Sequence, residues 1–400
     1  MTDFRSALNR HLAGIGASPI RTLFDLAESP DIISFAGGHP DPELFDVEGI
    51  REAANIVLDT IGGDALQYGS TMGESRMLAA AARELSRKGL PTEPEDVVIT
   101  SGSQQGLGLI AQTLFNEGDV LLVENPTYMS AIQAFGLQGV DFQPVRVDED
   151  GADPDHLAEQ IRKHQPRGVY LIPTFQNPTG VTMPQARREQ VADIIAESET
   201  WLIEDDPYSA LWFDKISDLL PISADPRLAD RSLLCNTVSK TLSPGLRVGW
   251  VRGPRDVLSH IGLAKQGSAM QTGTLDQLIT AQYLDTTDLD AKIAVHRTAY
   301  KQRMETMLEV LGEILPEGSE FNRPTGGMFI WVRLPEGYRA SEMVYSAIEH
   351  GTIYVPGKEF HVADHDDRTL RLSFVSHTPE VIREGLSRLV PVFEKYRAQD

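Results

Sequence analysis

Between residues 97 and 253 the chain alternates short runs of apolar, mostly β-branched residues with longer stretches in which apolar positions recur at helical spacing. The runs DVVITS, VLLVE, GVYLIP, TWLIED, SLLCNTVS and RVGWVRG read as strands. Segments 104–115, 129–135, 155–164 and 184–198 read as helices between them, the last opened by Pro184 in its first turn. Strand and helix in alternation predict βαβ units, because parallel strands need a crossover to return the chain. After residue 254 the pattern lengthens into helices, including a polar one at 291–314 that reads as a connector. GGMFIWVRLP and TLRLSFV then read as strands flanked by helices at 341–350 and 380–397. These form a second, smaller α/β unit, which the first 47 residues, with a helix at 20–28, are expected to join. No internal repeat is visible.

Composition narrows the function classes. At 400 residues the chain exceeds the size at which one hydrophobic core stops growing, and 41% apolar content is that of a folded globular protein. Asp and Glu outnumber Lys and Arg by 58 to 36, a net charge of −22, which repels phosphate backbones and anionic lipid. Nucleic acid and membrane are therefore not expected as partners. A cleft with a few arginines can still bind small carboxylates on such a surface. The single cysteine, Cys235, lies in the apolar run SLLCN and reads as core filling. No stretch approaches the roughly 18 apolar residues of a membrane helix, and the N-terminus lacks a signal-peptide run, so a cytoplasmic location is expected.

In an open parallel sheet, ligands bind beyond the carboxyl ends of the strands. Polar residues follow the strands here: SGSQQG after VVIT, NPTY after LLVE, TFQNPTG after YLIP, DDPY after WLIE and TVSK after LLCN. Small residues in SGSQQG would let backbone N–H groups at a helix start approach an anion, although an ordinary βα turn has the same composition. The run does not match a dinucleotide fingerprint. Arg247 in PGLRVG offers a planar fork to phosphate oxygens, or is a surface arginine. Asp205 follows an apolar run, so its carboxylate needs a cation or several donors, unless the DD pair is merely a turn. Asn177 precedes a proline, which favours an extended chain ending in a turn. Lys240 at a core strand's end is the hardest residue to explain structurally, because such a lysine takes a lowered pKa and forms Schiff bases. Together these groups suit pyridoxal phosphate, whose ring nitrogen needs an acidic partner.

The series NPTG, DDPY, SKTLSPGLRVG and RLSF resembles the fold-type I, class I/II pyridoxal-phosphate aminotransferases over nearly the whole chain. ISFAGGHPDPELF is similar to the branch holding 2-aminoadipate, kynurenine and broad aromatic or branched-chain aminotransferases. The resemblance implies a large domain at 48–285 with a mainly parallel, seven-stranded-type sheet between helices, and a small α/β domain from 1–47 and 286–400. It implies Lys240 as the Schiff-base lysine, Asp205 as partner of the ring nitrogen, Asn177 and Tyr208 as donors to the ring hydroxyl, and Tyr128 stacked on the ring. Phosphate would be held by Ser103 and Gln104, by Thr237 or Ser239, and by Arg247. Tyr68 of LQYGSTMG would reach over from a second subunit, which implies a homodimer. Arg371 would bind the substrate α-carboxylate, with Gly37 and Gly38 lining its pocket. Arg21 would pair with an acidic side chain or swing away from an apolar one, and His39 stands where relatives often carry an apolar residue.

The expected activity is ping-pong transfer of an amino group from an L-amino acid to a 2-oxo acid such as 2-oxoglutarate. The same cradle also serves β-lyases, racemases and decarboxylases. A cofactor-sensing regulator would carry an N-terminal DNA-binding domain, for which the pattern beginning near residue 18 leaves no room. His361 and His365 in HVADHDD stand four apart beside three aspartates, but an acidic surface loop is expected there rather than a metal site.

Overall fold

A computed structural model describes residues 29, 31–214 and 219–397. The strands, in chain order, are β1 (Ile33–Ser34), β2 (Val97–Thr100), β3 (Val120–Asn125), β4 (Asp141–Asp148), β5 (Gly151–Ala152), β6 (Gly168–Leu171) and β7 (Trp201–Asp205). They continue as β8 (Ser232–Thr237), β9 (Gly249–Arg252), β10 (Glu320–Phe321), β11 (Phe329–Arg333), β12 (Thr352–Ile353), β13 (Val355–Pro356) and β14 (Thr369–Ser373). The helices are α1 (Val47–Ala65), α2 (Ser75–Arg87), α3 (Ser103–Leu114), α4 (Met129–Gly136), α5 (Pro154–His164) and α6 (Gln185–Ala196). After these come α7 (Arg255–Ser268), α8 (Thr274–Thr286), α9 (Leu289–Ile314), α10 (Ala340–Glu349), α11 (Pro379–Ser387) and α12 (Val390–Tyr396).

The large sheet runs β2-β9-β8-β7-β6-β3-β4-β5. Its central pairs, β4 with β3, β3 with β6, β6 with β7 and β7 with β8, are parallel. β9 is antiparallel to both of its neighbours and β5 to β4. The sheet is thus mainly parallel, as expected, with eight strands once the two-residue β5 is counted. Most of its strands are buried along their length, which is why they read as unbroken apolar runs: every residue of β6 and β8, and of the edge strand β2, is buried.

A smaller antiparallel sheet, β10-β11-β14-β13, lies in the C-terminal part. β1 pairs in parallel with β12, so the chain's early segment joins the late one. The buried ion pair of Asp41 and Arg303, 2.5 Å, fixes that early segment to α9, the expected connector. The helix predicted at 380–397 is broken into α11 and α12, because Pro391 cannot donate the N–H an uninterrupted helix needs. The helix expected at 20–28 lies outside the described residues. Among the described residues, no helix is long and apolar enough to cross a membrane.

Candidate active site

β2, β3, β6, β7 and β8 share one direction, so their carboxyl ends open on one edge of the sheet. A cavity of 260 Å³ lies there, with Gly38, His39, Phe329 and Arg371 facing the strand ends. Ser103, Gln104, Tyr128, Asn177, Asp205, Tyr208, Thr237, Ser239, Lys240 and Arg247 all line it. Parallel topology brings together residues up to 144 positions apart because they stand at or just beyond the ends of five different strands.

One end of the cavity is built to receive an anion. α3 starts at Ser103 directly after Gly102, whose φ of +79° lies in the left-handed region. A Cβ on Gly102 would come within 2.4 Å of the Arg247 guanidinium, so the missing side chain lets arginine close over the helix start. Arg247 Nη2 donates to the Ser101 carbonyl at 3.0 Å and Nη1 to Ser239 Oγ at 3.4 Å. Thr237 Oγ1 donates to the Val248 carbonyl at 2.9 Å and accepts from Ser239 N, so it braces the turn that carries Ser239 and Lys240. The unpaired N–H groups of the helix start and the guanidinium together favour a dianion.

The middle holds an amine and a carboxylate. Lys240 ends a short 3-10 turn after β8, and its Nζ donates to the Gly38 carbonyl at 2.9 Å. Burial, then the charges of Arg371 and Arg247, lower its pKa from 10.5 to about 8, against a partial restoring pull from Asp205. Asp205, 2% exposed, is pushed up to about 7, chiefly by burial. Its Oδ2 accepts from Tyr170 OH at 2.8 Å, whereas Oδ1 is buried without a hydrogen-bond partner. The neighbouring Asp206 turns the other way, toward a separate 420 Å³ cavity, where Lys88 Nζ (2.8 Å) and Ser209 Oγ (2.7 Å) meet its Oδ2.

At the other end Arg371 reaches in from β14. Its Nη1 donates to Asn177 Oδ1 at 2.8 Å and Nη2 to the Ala36 carbonyl at 2.6 Å, while Nε is buried without a partner. The guanidinium lies 4.2 Å from the Phe329 ring centroid and 4.9 Å from that of Phe360, a packing arrangement that suits a planar cation. Asn177 Nδ2 and Tyr208 OH approach each other at 3.5 Å. Burial raises the pKa of Tyr208 and of Tyr128, keeping both phenols protonated as donors. Gly38 must be a glycine, since a Cβ there would meet Phe329 at 2.7 Å. His39 sits at the mouth, open to solvent on one side, and partial desolvation of its ring, then the charges of Lys240 and Arg371, lower its pKa.

Tyr68, expected to serve the site of a second subunit rather than this one, is 78% exposed and lines no wall of this cavity. Arg21 lies outside the described residues. His361 and His365 occupy a loop rather than a helix, where His365 Nδ1 contacts the Lys358 carbonyl, and no group of three potential metal ligands forms among the described residues. Sequence reasoning missed Tyr170, which looks like core within GVYLIP, and the aromatic pair around Arg371. A tyrosine in an otherwise aliphatic strand was the one available signal for the first.

Geometry and comparison agree on the class. Residues 30–389 match the family described as aminotransferase class I and II, and the chain belongs to that family. It is 37% identical to an aromatic-amino-acid aminotransferase of Thermococcus litoralis, over 98% of this chain and 95% of that protein. The alpha-aminoadipate aminotransferase of Thermus thermophilus, solved with N-(5'-phosphopyridoxyl)-L-leucine, superposes with a TM-score of 0.92 at 36% identity, covering 99% of this chain and 100% of that one. A kynurenine aminotransferase of Pyrococcus horikoshii, solved with PMP, gives 0.93 at 35% identity, covering 98% of each chain.

Proposed function

We propose that this aminotransferase, whose cofactor is pyridoxal phosphate, moves the amino group of an L-amino acid to a 2-oxo acid such as 2-oxoglutarate in a ping-pong reaction. The donor is of aromatic, branched-chain or 2-aminoadipate type, and the aromatic-amino-acid and alpha-aminoadipate names of relatives support the first and last of these. One observation carries the reading: in a single cavity, a lysine amine with a lowered pKa stands between an anion cradle and a buried carboxylate whose Oδ1 has no partner.

The residues present fit the cofactor. The orphaned Asp205 Oδ1 suits a protonated ring nitrogen, and the Arg247 guanidinium held against the start of α3 at Gly102 suits a phosphate. Lys240 would hold the cofactor covalently, with Asn177 and Tyr208 at its ring hydroxyl and Tyr128 against the ring. Ser103, Gln104, Ser239 and Arg247 would hold its phosphate, with Thr237 bracing them. When bound, pyridoxal phosphate supplies an electron-accepting ring that makes the Cα proton of an amino acid removable.

The chain supplies the rest. Arg371 grips the α-carboxylate through its fork and so fixes Cα relative to Lys240. A lysine with a pKa of about 8 is partly neutral near pH 7, so Nζ can take the Cα proton and later return one. Burial of the site keeps bulk water from competing for that proton. The substrate side chain would lie on the side of Gly38 and His39, and Arg21 is the residue proposed to pair with an acidic one.

The functional unit is a homodimer. Tyr68 stands on a loop with exposed Leu66, and Gly69 N donates to Gln271 Oε1 at 2.6 Å, beside the exposed Met270. This apolar patch supports a subunit contact through which Tyr68 reaches the phosphate of the other copy's cofactor. We take residues 48–285 as the large domain, 1–47 and 286–400 as the small one, and the cytoplasm as the location. The net charge of −22 argues against a nucleic-acid partner. The direct test is a two-substrate assay: aminotransfer yields a new oxo acid and a new amino acid in equal amounts. Product from the amino acid alone, with release of ammonia or carbon dioxide, would replace this reading with a lyase or decarboxylase.

A further inference from the structure

We propose that Tyr170 is the positioning residue that aims Asp205, its hydroxyl occupying one carboxylate oxygen so that the other alone faces the cavity. The inference rests on the functional reading above, in which Asp205 meets the cofactor's ring nitrogen. Tyr170 lies in β6 opposite Ile203 of β7 and is fully buried, its ring 6.2 Å from that of Phe135. For packing alone, phenylalanine would serve there without a hydroxyl to satisfy. The hydroxyl instead donates to Asp205 Oδ2 at 2.8 Å, across 35 residues of sequence. Burial, then the charge of Asp205, raises the pKa of Tyr170 well above its ordinary value, so it stays a donor at every physiological pH.

That bond does two things. It fixes the carboxylate's rotation, which leaves Oδ1 as the lone buried acceptor. It also favours the ionised form, offsetting part of what burial and the charge of Asp206 impose. The other charged or titratable groups coupled to Asp205 are Lys240, Tyr128, Tyr208 and Cys235. Among them Lys240 alone also stabilises the carboxylate, and it is committed to the cofactor.

The test is a titration of the cofactor-free full chain with pyridoxal phosphate across pH, for wild type, Tyr170→Phe, Asp205→Asn and the double variant. Tyr170→Phe is expected to weaken binding about tenfold, the value of a hydrogen bond to a charged group, and to move the pH midpoint up by about one unit. On the Asp205→Asn background it adds nothing, because its effect runs through the carboxylate. If Tyr170→Phe does not fold, 3-fluorotyrosine at position 170 keeps the shape and strengthens the donor, and the midpoint moves down. The same loss on both backgrounds, or an unmoved midpoint with either variant, overturns the inference and leaves Tyr170 as core. A wild-type chain that binds no cofactor overturns the functional reading as well.

Discussion

Arg371 Nη1 donates to the side-chain oxygen of Asn177 at 2.8 Å, one hydrogen bond joining β14 of the small sheet to the ligand edge of the large one. Both side chains are buried, and the two residues are 194 positions apart. The contact places the expected carboxylate-binding cation directly against a residue expected to touch the cofactor.

Arg371→Lys keeps the charge but loses the planar fork between Phe329 and Phe360. Its kcat/KM is expected to fall by about a hundredfold, the scale of a lost bidentate contact, mainly through KM. Affinity for the cofactor should change little. Steady-state kinetics alongside a cofactor titration separate the two, and an equal loss of both would move Arg371 from substrate to cofactor binding.

Gly102→Ala tests the anion cradle. The added methyl would meet the Arg247 guanidinium at 2.4 Å, at a backbone φ of +79° that alanine resists. Cofactor affinity is expected to fall by at least about tenfold, and free pyridoxal, which lacks phosphate, to bind the variant and wild type alike. Comparing the two ligands by titration checks it, since a purely structural defect weakens both.

The lowered pKa of Lys240 gives a pH signature. Capture of an aldehyde needs the neutral amine, so cofactor uptake by the cofactor-free chain should rise with pH around a midpoint of about 8, rather than the ordinary 10.5. Stability has a matching sign: between those values the unfolded chain binds the extra proton, so the penalty for burying Lys240 is full below about 8 and fades as pH climbs to 10.5. Lys240→Met should therefore melt higher than wild type at pH 7, both without cofactor, and lose that margin in strong alkali. Stopped-flow uptake and thermal melts across pH check both halves.

How far the sequence could be read follows from where each residue sits. Asp205 and Lys240 stand at the ends of apolar runs, so a strand pattern that stops at a charge is enough to mark them as ligand-edge groups. β4 was not legible, because Asp141, Arg146 and Asp148 are exposed, four positions are half-buried and only Val145 is buried, so no apolar run marks it. The reversed direction of β9 was also hidden, since a buried strand reads alike in either direction. Tyr170 escaped because its function depends on a partner in the next strand, a relationship that belongs to sheet register. The setting of Arg371 between Phe329 and Phe360 likewise exists only once three C-terminal segments pack together.

Borohydride reduction of the cofactor-loaded protein, followed by peptide mass spectrometry, fixes the cofactor to whichever lysine holds it. Among the described residues two lysines, Lys240 and Lys265, have pKa values lowered to about 8 by burial, so lysine chemistry alone does not choose between them. Lys265 Nζ is bound by the carbonyls of Thr71 and Ile99, both at 2.6 Å, whereas Lys240 lines the cavity with Asp205 and Arg371. The phosphopyridoxyl mass is expected on the peptide containing Lys240 and on no other. Its appearance on Lys265, or its absence from Lys240, would contradict the assignment of the active site.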